Sequence, residues 1–213
     1  MPHINSIGAG MFSDLSMALP ATPFTSAVFT EVTPGELHLE LGDHFDTKRA
    51  STYASANATG DFVRIENVRE FPSMGTPPNI VNVPVYGQAT SQQIQGQADA
   101  PSIELTLNYV ATDWASGTKL GDAVGDGNQY LFRFALLNSE PASYTTIRAD
   151  VAAGDGIGGS TGDGTATNNS VYYWLGKVEA LSVSPQLTDS NTATVTISIQ
   201  SDFYGAYTYA TAA

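Results

Sequence analysis

Thr192-Ala-Thr-Val-Thr-Ile-Ser-Ile-Gln200 carries the cleanest apolar–polar alternation in the chain. Val195, Ile197 and Ile199 alternate with Thr194, Thr196, Ser198 and Gln200. A period of two places one face of a strand in a core and leaves the other polar. Threonine and β-branched residues fit a pleated surface, which reinforces the reading. Ser102–Tyr109 (SIELTLNY) repeats the pattern, with Ile103, Leu105, Leu107 and Tyr109 set against Glu104, Thr106 and Asn108. Glu36–Asp43 (ELHLELGD) reads the same way, with Leu37, Leu39 and Leu41 opposed to Glu36, His38 and Glu40. Weaker strand candidates are 61–68, 130–137, 171–178 and 180–185. The run from Tyr130 to Leu137 is apolar apart from Arg133, which predicts burial on both faces. Tyr172, Tyr173 and Trp174 sit inside a strand candidate and are assigned to core rather than to ligand stacking.

The one helical candidate is 112–124 (TDWASGTKLGDAV), with Asp113 as a plausible cap and Trp114, Leu120 and Val124 on one side. Gly117 and Gly121 each count against it by about 1 kcal/mol relative to alanine. The opening residues, about 1–25, are broken by proline and acid and read as an extended arm rather than a secretory signal. Two long stretches read as loops: 71–102, rich in proline and glutamine, and 139–170, rich in Gly, Asp, Thr and Asn. Neither a repeat nor a composition break divides the 213 residues, so 1–213 is read as a single β domain. The expected class is all-β, a β-sandwich or barrel with one short flanking α-helix.

Charge narrows the function. Twenty-one acidic and eight basic residues give a formal net charge of −13. Tight binding to phosphate backbones needs clustered Lys and Arg, and a polybasic membrane anchor needs the same. No run reaches the ~18 apolar residues of a membrane span. Glu70–Thr118 and Val178 onward contain no Lys or Arg, so the two best-patterned strands lie in acid-only stretches.

Reactive constellations are sparse. The absence of cysteine excludes disulfides, thiolate nucleophiles and cysteine metal sites. The three histidines, His3, His38 and His44, have no nucleophile-elbow serine motif to join. His38 and His44, near Glu40, Asp43 and Asp46, raise metal ligation, but a turn at Gly42-Asp43 spoils the convergence; exposed polar residues on a strand and its turn are expected instead. Asp155 and Asp163 lie in a glycine-rich run too irregular for a tandem calcium repeat. No nucleotide-binding fingerprint occurs, and no carboxylate pair is marked for glycoside hydrolysis. The expectation is a protein with no catalytic residues, no metal and no cofactor.

The order of elements in the second half is distinctive: SIELTLNYVATDW, LGDAVGDG, QYLFRFALLN, an insertion, then YYWLGKVEALSVSPQLTDSNTATVTISIQSDF. This order resembles the major tail tube proteins of long-tailed bacteriophages over about residues 98–205. The motifs are patterns of strands and turns rather than catalytic signatures. The 139–170 insertion departs from the short turn of many members.

The resemblance implies a β-sandwich subunit, six copies of which close into a ring whose strands join an intersubunit barrel. Rings stack into a tube that conducts DNA to the host. The partners implied are the chain itself, other tail proteins at the tube ends, and duplex DNA that passes without specific binding, with no membrane anchor. The chain would be made in the host cytoplasm and belong to the virion. On this reading Glu104, Thr106, Asn108, Thr194, Thr196, Ser198 and Gln200 line the lumen. Val85, Gln88, Gln92, Gln93, Gln95 and Gln97 belong to a loop that contacts the next ring, and the 139–170 insertion decorates the outside. The alternative is a secreted-type β-sandwich module that binds carbohydrate or calcium, and an all-β hydrolase is a third reading.

Overall fold

The structure is a computed structural model and describes residues 13–19, 23–30, 37–45, 62–73, 80–84, 86–87, 92–95, 102–137 and 170–208. Its strands are β1 (Asp14–Ala18), β2 (Phe62–Arg64), β3 (Val68–Glu70), β4 (Ile80–Val83), β5 (Gln92–Gln95), β6 (Ile103–Asn108), β7 (Tyr130–Leu136), β8 (Ser170–Ser184), β9 (Thr192–Ile199) and β10 (Tyr204–Thr208). Two short helices, α1 (Leu37–Asp43) and α2 (Lys119–Ala123), and a 3₁₀ turn at Ser26–Phe29 complete the described elements. The fold is all-β, as expected, with a second short α-helix beyond the one foreseen.

The main sheet has eight strands in the order β2-β1-β7-β8-β9-β6-β3, with β10 also paired to β8. Every pairing is antiparallel. The 15-residue β8 organises it. Its first half pairs with β7 on one side and β10 on the other, and from Gly176 onward it pairs with β9. A register shift between Val178 and Ala180 merges the separate candidates 171–178 and 180–185 into one strand.

Both sides of the sheet are covered around β7. On one side Leu15, Met17, Phe132, Phe134 and Trp174 join the inward residues of β6 and β9, with Trp114 and Leu120 packed over them. On the other side Ala18, Leu131, Ala135, Val171, Tyr173 and Leu175 pack under Phe24, Leu37, Leu41 and Phe45. The dual burial expected of Tyr130–Leu137 holds from Leu131 to Ala135, Arg133 included, whereas Leu136 is exposed and Tyr130 only partly buried. Tyr173 and Trp174 are core residues, and Tyr172 is partly buried.

Four expectations change. Glu36–Asp43 was expected to be a strand, but Leu37–Asp43 is helical. Leu37, Leu41 and Phe45 fall at i, i+4 and i+8, a helical stripe as good as the alternation, and burial against the sheet selects it. The helix expected over 112–124 contracts to Lys119–Ala123, because Thr118, not Asp113, is its cap: the Thr118 hydroxyl accepts a hydrogen bond from the Gly121 amide at 3.1 Å. Within 71–102, read as loop, β4 and β5 form a separate two-stranded hairpin. The extended backbone expected of the opening residues is, at Asp14–Ala18, an inner strand between β2 and β7. The 139–170 insertion up to Asn169, with Asp155 and Asp163, lies outside the described residues, as does His3.

Candidate functional site

Three strands assemble one continuous polar face. Glu104 on β6 lies opposite Thr196 on β9, which lies opposite Ala180 on β8. The next row is Thr106, Thr194 and Ser182, and the third is Asn108, Thr192 and Ser184. These rows form because side chains in register on neighbouring strands share a face. Six of the seven residues expected on a common surface, Glu104, Thr106, Asn108, Thr194, Thr196 and Ser198, are therefore brought together. Gln200 lies just past β9 and stays attached to it, its amide group donating to the Ser198 hydroxyl at 3.2 Å. The opposite faces of these strands, Ile103, Leu105, Leu107, Ala193, Val195, Ile197 and Ile199, are buried.

Hydrogen bonds knit the margins of the face. Ser198 donates to the Glu179 carboxylate at 2.6 Å, and Ser190 donates to the Asn108 side-chain oxygen at 3.2 Å. Lys177 is the exception in this hydroxyl and carboxylate surface; it lies in register with Ser198. Ser182 and Ser184 extend the face beyond the residues foreseen. The alternation of Ala180, Ser182 and Ser184 with Leu181 and Val183 carried that signal, but the bulge hid its phase relative to β9.

Both flanks of this face end in strand edges. Glu179–Ser184 of β8 pairs with β9, and among the described residues no strand lies on its other side. At the far margin β3 meets β6 at Leu107 and Thr106, so Ile103–Leu105 has no described strand beside it there. Val183 near the first edge is 41% exposed, and Leu187 in the following turn is fully exposed.

The glutamine-rich segment is only partly in view. Gln92, Gln93 and Gln95 lie on β5, in register with Val83, Asn82 and Ile80 of β4. Among the described residues the hairpin pairs with no strand of the main sheet. Tyr86 between its strands is fully exposed. Val85, Gln88 and Gln97 lie outside the described residues.

The histidine region departs from its expected character. His44 and Glu40 are buried rather than exposed, because α1 turns them toward the sheet. Burial holds the His44 imidazole down at about 4, and its ring meets Phe24 edge-on at 5.0 Å. Among the described residues no group of three or more His, Asp or Glu is placed to hold a metal ion. The side chains of His38 and Asp43, and all of Asp46, lie outside the described set. Among the described residues no helix is long and apolar enough to cross a membrane.

A mixed groove of about 510 Å³ lies between β2 and α2, lined by Phe62, Val63, Arg64, Glu66, Asp113, Thr118, Lys119 and Leu120. Arg64 there is engaged by Glu66 at 2.8 Å and by the buried Asp14 at 2.7 Å.

No protein-family model matches the chain, and no curated protein sequence matches it. Among solved structures, the chain is similar to one described as a hybrid structure of the SPP1 tail tube by solid-state NMR and cryo-EM. The match has 14% identity, covers 70% of each chain and has a TM-score of 0.42. A likeness at that level carries no weight for fold or function, which rest on the chain's own residues.

Proposed function

We propose that the chain is a structural subunit of a bacteriophage tail tube, closing with five further copies into rings that stack into a conduit for DNA. The observation that carries the reading is the polar face of β6, β9 and β8, backed by the subunit's own core and bounded by two strand edges. An exposed edge offers unpaired N–H and C=O groups to another chain. Pairing Glu179–Ser184 of one copy with the Ile103–Leu105 margin of the next repeats one contact head to tail, and a head-to-tail contact closes a ring when its rotation permits. The polar rows then form the inner wall. The sequence resemblance over 98–205 supports the same reading.

Such a wall lets DNA run without sticking. Hydroxyls give phosphate no fixed counter-charge, and Glu104 repels it within a screening distance of about 8 Å at physiological salt. The subunit catalyses no reaction and needs no cofactor on this reading. Its partners are its own copies, the tail proteins at the tube ends and passing duplex DNA, and it resides in the virion.

Negative-stain microscopy with sedimentation of the purified chain tests the proposal. Rings or long tubes are the expected result. A monomer at every concentration, or one that responds to glycans or calcium, contradicts it.

A further inference from the structure

The cover over the second core is held differently from the sheet beneath it. Among its described residues α1 takes no part in the strand ladders, so side chains hold it in place. Leu37 and Leu41 enter the core, and Phe45 follows, fully buried, with its ring 4.7 Å from the Arg133 guanidinium. His44 is 3% exposed and packs on Phe24. An imidazole placed there is tolerated while neutral, because burying an unpaired charge in apolar surroundings is costly.

Among the described residues, the charged and titratable groups on that side of the sheet are few. α1 itself brings Glu40, β1 brings Asp14, β2 brings Arg64 and β7 brings Arg133. β8 brings Tyr173, and β10 brings Tyr204 and Tyr207. The segment 23–30 over His44 has no ionisable side chain. Asp14 is already engaged by both arginines, at 2.7 and 2.9 Å. The face thus holds the Arg64 and Arg133 guanidiniums against the Asp14 and Glu40 carboxylates, and a proton on His44 adds a further cation in the apolar setting beside Phe24.

We infer that α1 is an acid-releasable cover, which leaves the sheet when His44 is protonated while the strands beneath stay paired. The direction follows from linkage. The free imidazole takes up a proton below about pH 6.5, and the buried one only near 4. Between those values the released helix binds more protons than the docked one, so acid favours release. Above 6.5 the effect is absent, and below 4 it levels off. From pH 7.5 to 4.5 the release constant rises roughly 70-fold. The inference does not depend on the tube reading.

Hydrogen exchange of the full chain at pH 7.5 and 4.5, corrected for the intrinsic pH dependence of exchange, tests it. Protection of the Leu41–Phe45 amides should fall roughly 70-fold, while β7, β8 and β9 keep theirs. His44→Phe should hold its protection at both pH values, and His44→Gln, also uncharged throughout, repeats the test if the larger ring does not fit. His38→Gln and Glu40→Gln should retain the acid response. Unchanged protection in the parent chain overturns the inference, as does a loss shared equally by both His44 variants. A loss that appears in β7–β9 together with α1 overturns it as well, because it means global unfolding.

Discussion

Arg133 and Asp14 pair in the interior of the sheet: a guanidinium with no exposed surface places Nη2 2.9 Å from Oδ2 of a carboxylate that is 1% exposed. The same Nη2 donates to the Ser16 hydroxyl at 3.1 Å, and Ser16 donates to Asp14 at 2.5 Å. Arg64, Ser16, Arg133 and Tyr173 occupy one row across β2, β1, β7 and β8. The pair thus fastens the N-terminal strands to the centre of the sheet.

Removing one partner strands the other charge in the core. Asp14→Asn or Arg133→Met should destabilise the fold by about 3–5 kcal/mol in urea denaturation. Replacing both, as Asp14→Leu with Arg133→Met, should cost clearly less than the sum of the single changes. Burial pushes the Asp14 carboxyl up, but Arg133, Ser16 and Arg64 outweigh it and hold the group below its ordinary 3.8. A depressed carboxyl stabilises the fold above its unfolded value, and that stability is lost as pH falls from 3.8 through the folded value. The urea midpoint of Asp14→Asn should accordingly fall less as the pH drops below 3.8 than that of the parent chain.

The glycines near α2 reverse a sequence-based expectation. Alanine at 121 would place a Cβ 2.1 Å from the Ala115 carbonyl oxygen, and Gly117 has φ +87°, which a side chain strains. Gly121→Ala should lower the melting temperature despite the better helix propensity of alanine. Thr118→Ala, which removes the cap, should cost about 1 kcal/mol, and Thr118→Ser much less.

What the sequence made legible was whatever a single period could encode. β6 and β9 bury one face each, so their alternation is unambiguous, and the polar rows follow from it. α1 was not legible because Leu37, Leu39 and Leu41 satisfy a strand while Leu37, Leu41 and Phe45 satisfy a helix, and only the sheet beneath decides. β1 was hidden because Asp14 and Ser16 look like surface residues until Arg133, 117 or more positions away in the chain, supplies their partner. The phase of Ser182 and Ser184 was concealed by the bulge in β8.

The β4–β5 hairpin should matter to assembly more than to folding. A two-stranded hairpin that pairs with nothing else is marginal in water, and among the described residues this one pairs with no strand of the main sheet. Deleting Gln88–Gln97, which removes β5, should leave a cooperatively folded chain that no longer polymerises. Tubes of normal length from the deletion would rule out a role in contact between rings.

Cations on the polar face should hinder DNA. Glu104 and Thr196 are direct cross-strand partners, so lysine at both would set like charges against each other. Glu104→Lys with Thr194→Lys avoids that, since Thr194 faces only Thr106 and Ser182. Particles carrying the pair should assemble yet release DNA more slowly, most clearly at low salt, where phosphate attraction is strongest. Equal release at low salt would count against a place on the inner wall.

Enclosure of the polar face can be measured directly, because the chain has no native cysteine. Thr194→Cys, in the middle row, is treated before and after assembly with a small maleimide and with a maleimide carried on a globular protein wider than duplex DNA. The small reagent should label the chain in both states, whereas the bulky one should label free subunits and fail on tubes away from their ends. Equal labelling of free subunits and assembled tubes by the bulky reagent would contradict that enclosure.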